Sequence, residues 1–198
     1  MNKPDFKKWN SRMAKLFGRA TRLLGLMAWL LAANSGFGGE PPLTKYQVEA
    51  VFLFNFAKYV DWPAAAFPNA NAPVTIGVLG TDPFGDKLPQ VVEGKTINGR
   101  PFVIKYLAAD SDVGGCQILF ISHSESSRMK EILAGAGALP ILTVGEDEPF
   151  AQNGGIINFV LKNENVRLEI DLAAARKAGL TISSRLLAVA DVVKGKTN

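Results

Sequence analysis

Short apolar runs that return at intervals along the chain constrain its fold more than any other feature. Residues 74–79 (VTIGVL), 118–121 (ILFI), 140–144 (PILTV) and 156–161 (IINFVL) contain no charged side chain. A half-wet strand alternates apolar and polar residues, whereas uninterrupted runs of this length belong to strands covered on both faces, as in parallel sheets. The segments between them carry helix signals. After Gly80, TDPFGDKLPQVVEG has a start at Thr81 or Asp82 and an early proline, and SHSESSRMKEILAGAG has serine caps and a glycine-rich end. An Asn98-Gly99 turn leads into a further strand over 102–107 (FVIKYL), and 110–115 is a polar loop. Residues 156–161 and 166–170 flank Lys162-Asn163-Glu164-Asn165, which predicts an antiparallel hairpin. Asp171 caps a short helix, and Thr181 or Ser183 opens a last one, in which Ile182, Leu186, Val189 and Val193 share a face. The pattern predicts one α/β domain with a largely parallel sheet, an antiparallel edge hairpin and flanking helices.

The densest helical segment lies earlier, over 44–63 (TKYQVEAVFLFNFAKYVDWP). Thr44 and Gln47 have capping-box spacing. At 100° per residue Val48, Val51, Phe52, Phe56, Tyr59 and Trp62 form one broad face. Asn55 falls within that face and is expected to bond a neighbouring segment, because a buried amide needs partners. Phe54 sits on the polar side with Lys58, so either a second layer of the protein or a partner covers it. Trp62-Pro63 ends the helix.

Ahead of this helix, residues 1–22 hold seven basic side chains and one acidic one, and 23–33 (LLGLMAWLLAA) hold no charge. Spanning about 30 Å of hydrocarbon takes roughly 20 residues. A short apolar stretch followed by small residues instead has the layout of a secretory signal over 1–35, cut after Ser35. An uncleaved anchor is the alternative. Removal of 1–35 turns a net charge of +4 into 15 bases against 17 acids, so the basic character belongs to the leader and gives no case for nucleic-acid binding.

The residues that could carry chemistry are few. His123 is the only histidine and Cys116 the only cysteine, which leaves no zinc site of the usual kind. Cys116 begins an apolar run and is expected to be a buried thiol. No G-x-S-x-G elbow accompanies His123. The run from Gly80 to Lys87 imitates a phosphate loop, but Asp86 stands where the lysine belongs. Carboxylate pairs such as Glu146/Glu148 and Glu164/Glu169 read as surface charges. Neither an enzyme, a cofactor nor a metal is indicated.

Taken in order, KYQVEAVFLFNFAKYVDWP, VTIGVLGTDPFGDKL, INGRPFVIKYL, CQILFIS, ILTVGE and GGIINFVLKNENVRLEIDLAAARKAGLTISSRLL resemble the YfiR family of small periplasmic regulators over 43–193. The resemblance implies a compact Rossmann-like domain, often dimeric, with no membrane anchor once the signal is cleaved. It further implies a protein that binds the periplasmic sensory domain of an inner-membrane diguanylate cyclase and holds it inactive. A small-ligand-binding or adaptor role in another envelope system is the alternative. Family members under redox control pair a cysteine in the first strand with one at the position of Cys116. Here Gly77 occupies that place, which excludes this internal disulfide. Under the family reading Phe54, Lys58 and Trp62 become candidates for a partner interface rich in aromatic anchors. Arg167 and Glu169 share one strand face, either solvated or partner-binding. Gly154-Gly155 is expected to permit a tight turn.

Overall fold

A computed structural model describes residues 43–194, and the export signal expected over 1–35 lies outside them. Helix α1 (Lys45–Tyr59) leads through a short strand β1 (Val60–Asp61) to β2 (Val74–Leu79). Then follow α2 (Lys87–Val92), β3 (Thr96–Ile97), β4 (Arg100–Leu107), β5 (Ile118–Ile121) and α3 (Met129–Ala136). After β6 (Leu142–Gly145) come β7 (Ile157–Lys162), β8 (Asn165–Asp171), α4 (Leu172–Lys177), β9 (Thr181–Ile182), α5 (Ser184–Leu187) and β10 (Ala190–Val193).

Eight strands form one sheet in the order β10-β8-β7-β6-β5-β2-β4-β3, parallel except for the β7–β8 and β3–β4 hairpins. The fully apolar runs become β2, β5 and β6, buried along their whole length. Ile76, Val78, Phe120 and Val144 pack under α1 and α2, while Leu79, Leu119 and Ile121 pack under α3. The chain therefore winds from β2 toward β4 with α2 on one face, and from β5 toward β6 with α3 on the other. The direction reverses between β2 and β5, which makes that the topological switch point. Both hairpin turns are two residues with positive φ, Asn98-Gly99 and Asn163-Glu164, the geometry that matches strand twist.

Two local expectations change. The helix expected after Ser183 stops at Leu187, and Ala190–Val193 pairs with β8 as a parallel strand outside the hairpin. Val189 is consequently exposed rather than on a helix face. Helix α1 ends at Tyr59, three residues before Trp62, because Val60 and Asp61 pair with Ile182 and Thr181.

Candidate functional site

The residues singled out from sequence fall on opposite faces of the sheet. Helix α1 begins with the Thr44–Gln47 capping box, but its buried side is rotated from the expected stripe. Ala50, Leu53, Phe54, Phe56 and Ala57 are buried, whereas Val51 is exposed. Two sides of the helix are covered, one by the sheet through Phe159 and the other toward α2 and β4, so no single stripe describes it. Phe54 is 8% exposed, with its ring 5.2 Å from that of Phe102 and the ammonium groups of Lys58 and Lys95 over it at 4.5 and 5.0 Å. Of the two coverings the sequence leaves open for Phe54, the protein's own second layer is the one present. Trp62 is half-buried and donates from Nε1 to the carbonyl of Gln117. Lys58 remains exposed. Asn55 is half-buried and makes no side-chain hydrogen bond among the described residues, so the docking bond expected of it is absent there.

Open α/β sheets receive ligands at the carboxyl ends of their strands, at the switch point. Here the chain reaches across that crevice. A 3-10 turn, His123–Arg128, places Ser124 Oγ where it accepts from Thr81 N at 2.9 Å. Gly80 has φ +88°, and a Cβ there would lie 2.3 Å from Ser124 Oγ. Nearby, Asp147 accepts from His123 Nδ1 at 2.5 Å and also from Ser126 Oγ. In a hydrolase the serine lies on Nε2, opposite the carboxylate. Ser126 instead lies on the Nδ1 side, with the His123 carbonyl as an alternative acceptor for its single O–H. This trio ties the 3-10 turn to the loop after β6, and the Asp147 hydrogen bond and charge raise the His123 pKa.

Beside it, two carboxylates share one ammonium. Lys45, in the first turn of α1, bonds Glu146 after β6 and lies 3.7 Å from Glu49. Glu49 is fully buried, and among the described residues neither of its oxygens has a hydrogen-bond partner. Burial pushes its pKa up to about 8 despite the opposing charge of Lys45. Sequence reasoning took Glu146 for a surface charge, but its side chain is 5% exposed. The Lys45–Glu49 spacing resembles an ordinary surface pair, and only the fold brings in Glu146.

Arg167 and Glu169 point away from α1, because the alternate residues Leu168 and Ile170 belong to the core beneath it. Arg167 is exposed and Glu169 half-buried. Lys162 joins Asp191 at 2.8 Å and Glu169 at 3.7 Å, forming a charged array on this face. Arg167 lines a cleft of about 260 Å³ with Val189 and Asp191, and Glu169 lines another of about 450 Å³ with Asn158 and Phe150. Gly154 turns the chain into β7 at φ +94°, whereas Gly155 provides close approach: a Cβ there would lie 2.1 Å from the Phe150 ring. Among the described residues no cluster of three or more His, Cys, Asp or Glu side chains could hold a metal ion. No described helix is long and apolar enough to cross a membrane.

Strand order and helices on both faces define a doubly wound α/β domain in which the 3-10 turn after β5 reaches across to the end of β2. The chain belongs to the YfiR/HmsC-like family, whose model matches residues 46–191. No curated protein matches the chain.

Proposed function

We propose that this chain is an exported periplasmic regulator that binds the sensory domain of an inner-membrane diguanylate cyclase and holds that enzyme inactive, lowering cyclic di-GMP. The observation that carries this reading is the YfiR/HmsC-like match over residues 46–191, nearly the whole described domain. The geometry supports it in a second way. A 3-10 turn that reaches across the switch point at Ser124, and a histidine whose serine lies on the wrong ring nitrogen, favour a protein that works by its surfaces.

The surface we assign to the partner is the β10 edge with the adjoining outer face of β8. Val189, just before β10, and Val192 within it are exposed, and Val189 lies beside the charges of Arg167, Lys162 and Asp191 on the outer face. An edge strand offers unpaired backbone groups for strand addition, and exposed aliphatic side chains beside charges suit a protein interface. Lys58 stays a contact candidate on the opposite face, while Phe54 and Trp62 act through the fold that presents it. A second copy of this chain could use the same edge, giving a homodimer.

The experiment is cellular cyclic di-GMP with the gene deleted, then restored as wild type or as Val192→Asp. The reading expects a rise on deletion, reversal by the wild-type gene and no reversal by the variant. An unchanged level on deletion sinks the repressor reading. Full reversal by a normally accumulating Val192→Asp protein removes the β10 edge from it.

A further inference from the structure

The cleft of about 450 Å³ on the outer sheet face has a built polar floor. Asn158 in β7 lies directly across from Glu169 in β8. It is 1% exposed, yet among the described residues its Oδ1 has no hydrogen-bond partner. A buried amide oxygen left unpaired costs stability, and an aliphatic side chain of the same size would avoid that cost. Its retention at the bottom of a cleft points to a donor that arrives from outside.

The charges around it identify that donor. Glu148 and Glu169 line the cleft against the single ammonium of Lys194. Lys162 offsets Glu169 only from 3.7 Å, being held closer to Asp191 at 2.8 Å. Pro149, Phe150 and Val193 supply apolar wall. The volume lies within the range of small-molecule sites, about 300–1,000 Å³.

We propose that this cleft binds a small organic monocation, a primary ammonium carrying a short apolar body. The ammonium has three donors and no acceptor, so it can serve Asn158 Oδ1 and the Glu169 carboxylate together. Its body lies against Pro149 and Val193. An anionic ligand meets two carboxylates and is repelled, and an uncharged alcohol has one O–H, too few to serve Asn158 and Glu169 together, and no charge to attract the carboxylates. The site stands whether or not the protein represses a cyclase, since it rests on the cleft alone.

The test is calorimetric titration of the purified protein with n-pentylammonium, using 1-pentanol and pentanoate as uncharged and anionic controls. Saturable binding of the amine alone is expected, weakened at least tenfold in both Glu169→Gln and Asn158→Leu. Glu169→Gln keeps the shape of a half-buried side chain, so it decides the matter if Asn158→Leu does not fold. The proposal is overturned if the amine shows no saturation at millimolar concentration, if 1-pentanol or pentanoate binds as well, or if Glu169→Gln binds with wild-type affinity.

Discussion

The sulfur of Cys116 lies 2.9 Å from the point at which a side chain on Gly77 would begin. Leu107 and Leu119 approach the same point at 3.1 Å each, so the ends of these leucines must give way slightly to admit a side chain. Cys116 is 2% exposed, and burial raises its thiol pKa. A buried thiol of raised pKa is a poor nucleophile, so a thiol-directed dye should label the native protein far more slowly than the urea-unfolded one. Gly77→Cys should place two sulfurs within reach of a bond, because 2.9 Å from its Cβ to the Cys116 sulfur is close to the Cβ-to-far-sulfur distance that an S–S bond of about 2.05 Å sets. Mass spectrometry after mild oxidation checks this: a loss of two mass units and of both free thiols is expected, and two persistent thiols would show the strands are held too far apart.

Glu49 should make stability depend on pH. Its ordinary pKa of 4.5 rises to about 8 in the folded protein because burial disfavours the charged form. Between those values the folded state keeps a proton that the unfolded state has released, so stability from this group is present below pH 4.5 and lost as pH rises through 8. The amount at stake is on the order of 2–5 kcal/mol. Glu49→Gln is neutral throughout and should flatten this part of the profile. Denaturation midpoints at pH 5 and pH 8.5 provide the check, with the variant gaining over wild type at the higher pH. An equal offset at both values would mean Glu49 stays ionised when buried.

The parts of the fold legible in the sequence were those fixed by local signals. The runs at 74–79 and 118–121 became buried strands, and Thr44–Gln47 and Asp171 cap helices as their spacing implies. The β10 strand was not legible, because Val189 and Val193 fit a helical period and only pairing with β8 decides between the two. The face of α1 was missed for a related reason. A helix covered on two sides has no single apolar stripe, and Phe54 looked exposed until Phe102 of β4 came against it. Glu49 and Asn158 were invisible as unusual groups, since what marks them is buried oxygens without hydrogen-bond partners among the described residues. Arg167 and Glu169 could be placed on one strand face by alternation, but the clefts beside them depend on β10 and the loop at 148–152.

Phe54 should now affect stability more than recognition. Truncating a buried phenylalanine costs about 3–5 kcal/mol, and Phe54→Ala also leaves Lys58 and Lys95 without the ring they cover. Lys58→Ala removes one exposed ammonium and should change stability by under about 1 kcal/mol, the scale of an exposed cation–π contact. Urea midpoints of the two variants separate the roles. A Phe54→Ala protein as stable as wild type would return Phe54 to the surface.

Phe150 ties the fold to the open cleft through two glycines. Its ring is 1% exposed and sits against both Gly145 and Gly155, where added Cβ atoms would lie 2.2 and 2.1 Å from ring carbons. Neither contact is relieved by a small shift, because the ring also packs in the core with Leu119 and Met129. Gly155→Ala should therefore destabilise by about 1–3 kcal/mol, the usual cost of overpacking. Gly154→Ala should also destabilise, by about 1 kcal/mol or more, but through its φ of +94° and not through contact. Pairing each variant with Phe150→Leu distinguishes the two causes. The smaller side chain should recover part of the loss at Gly155 and none at Gly154, as read from urea denaturation of the three single and two double variants. Equal recovery at both positions would mean that Phe150 does not set the approach of β6 and β7.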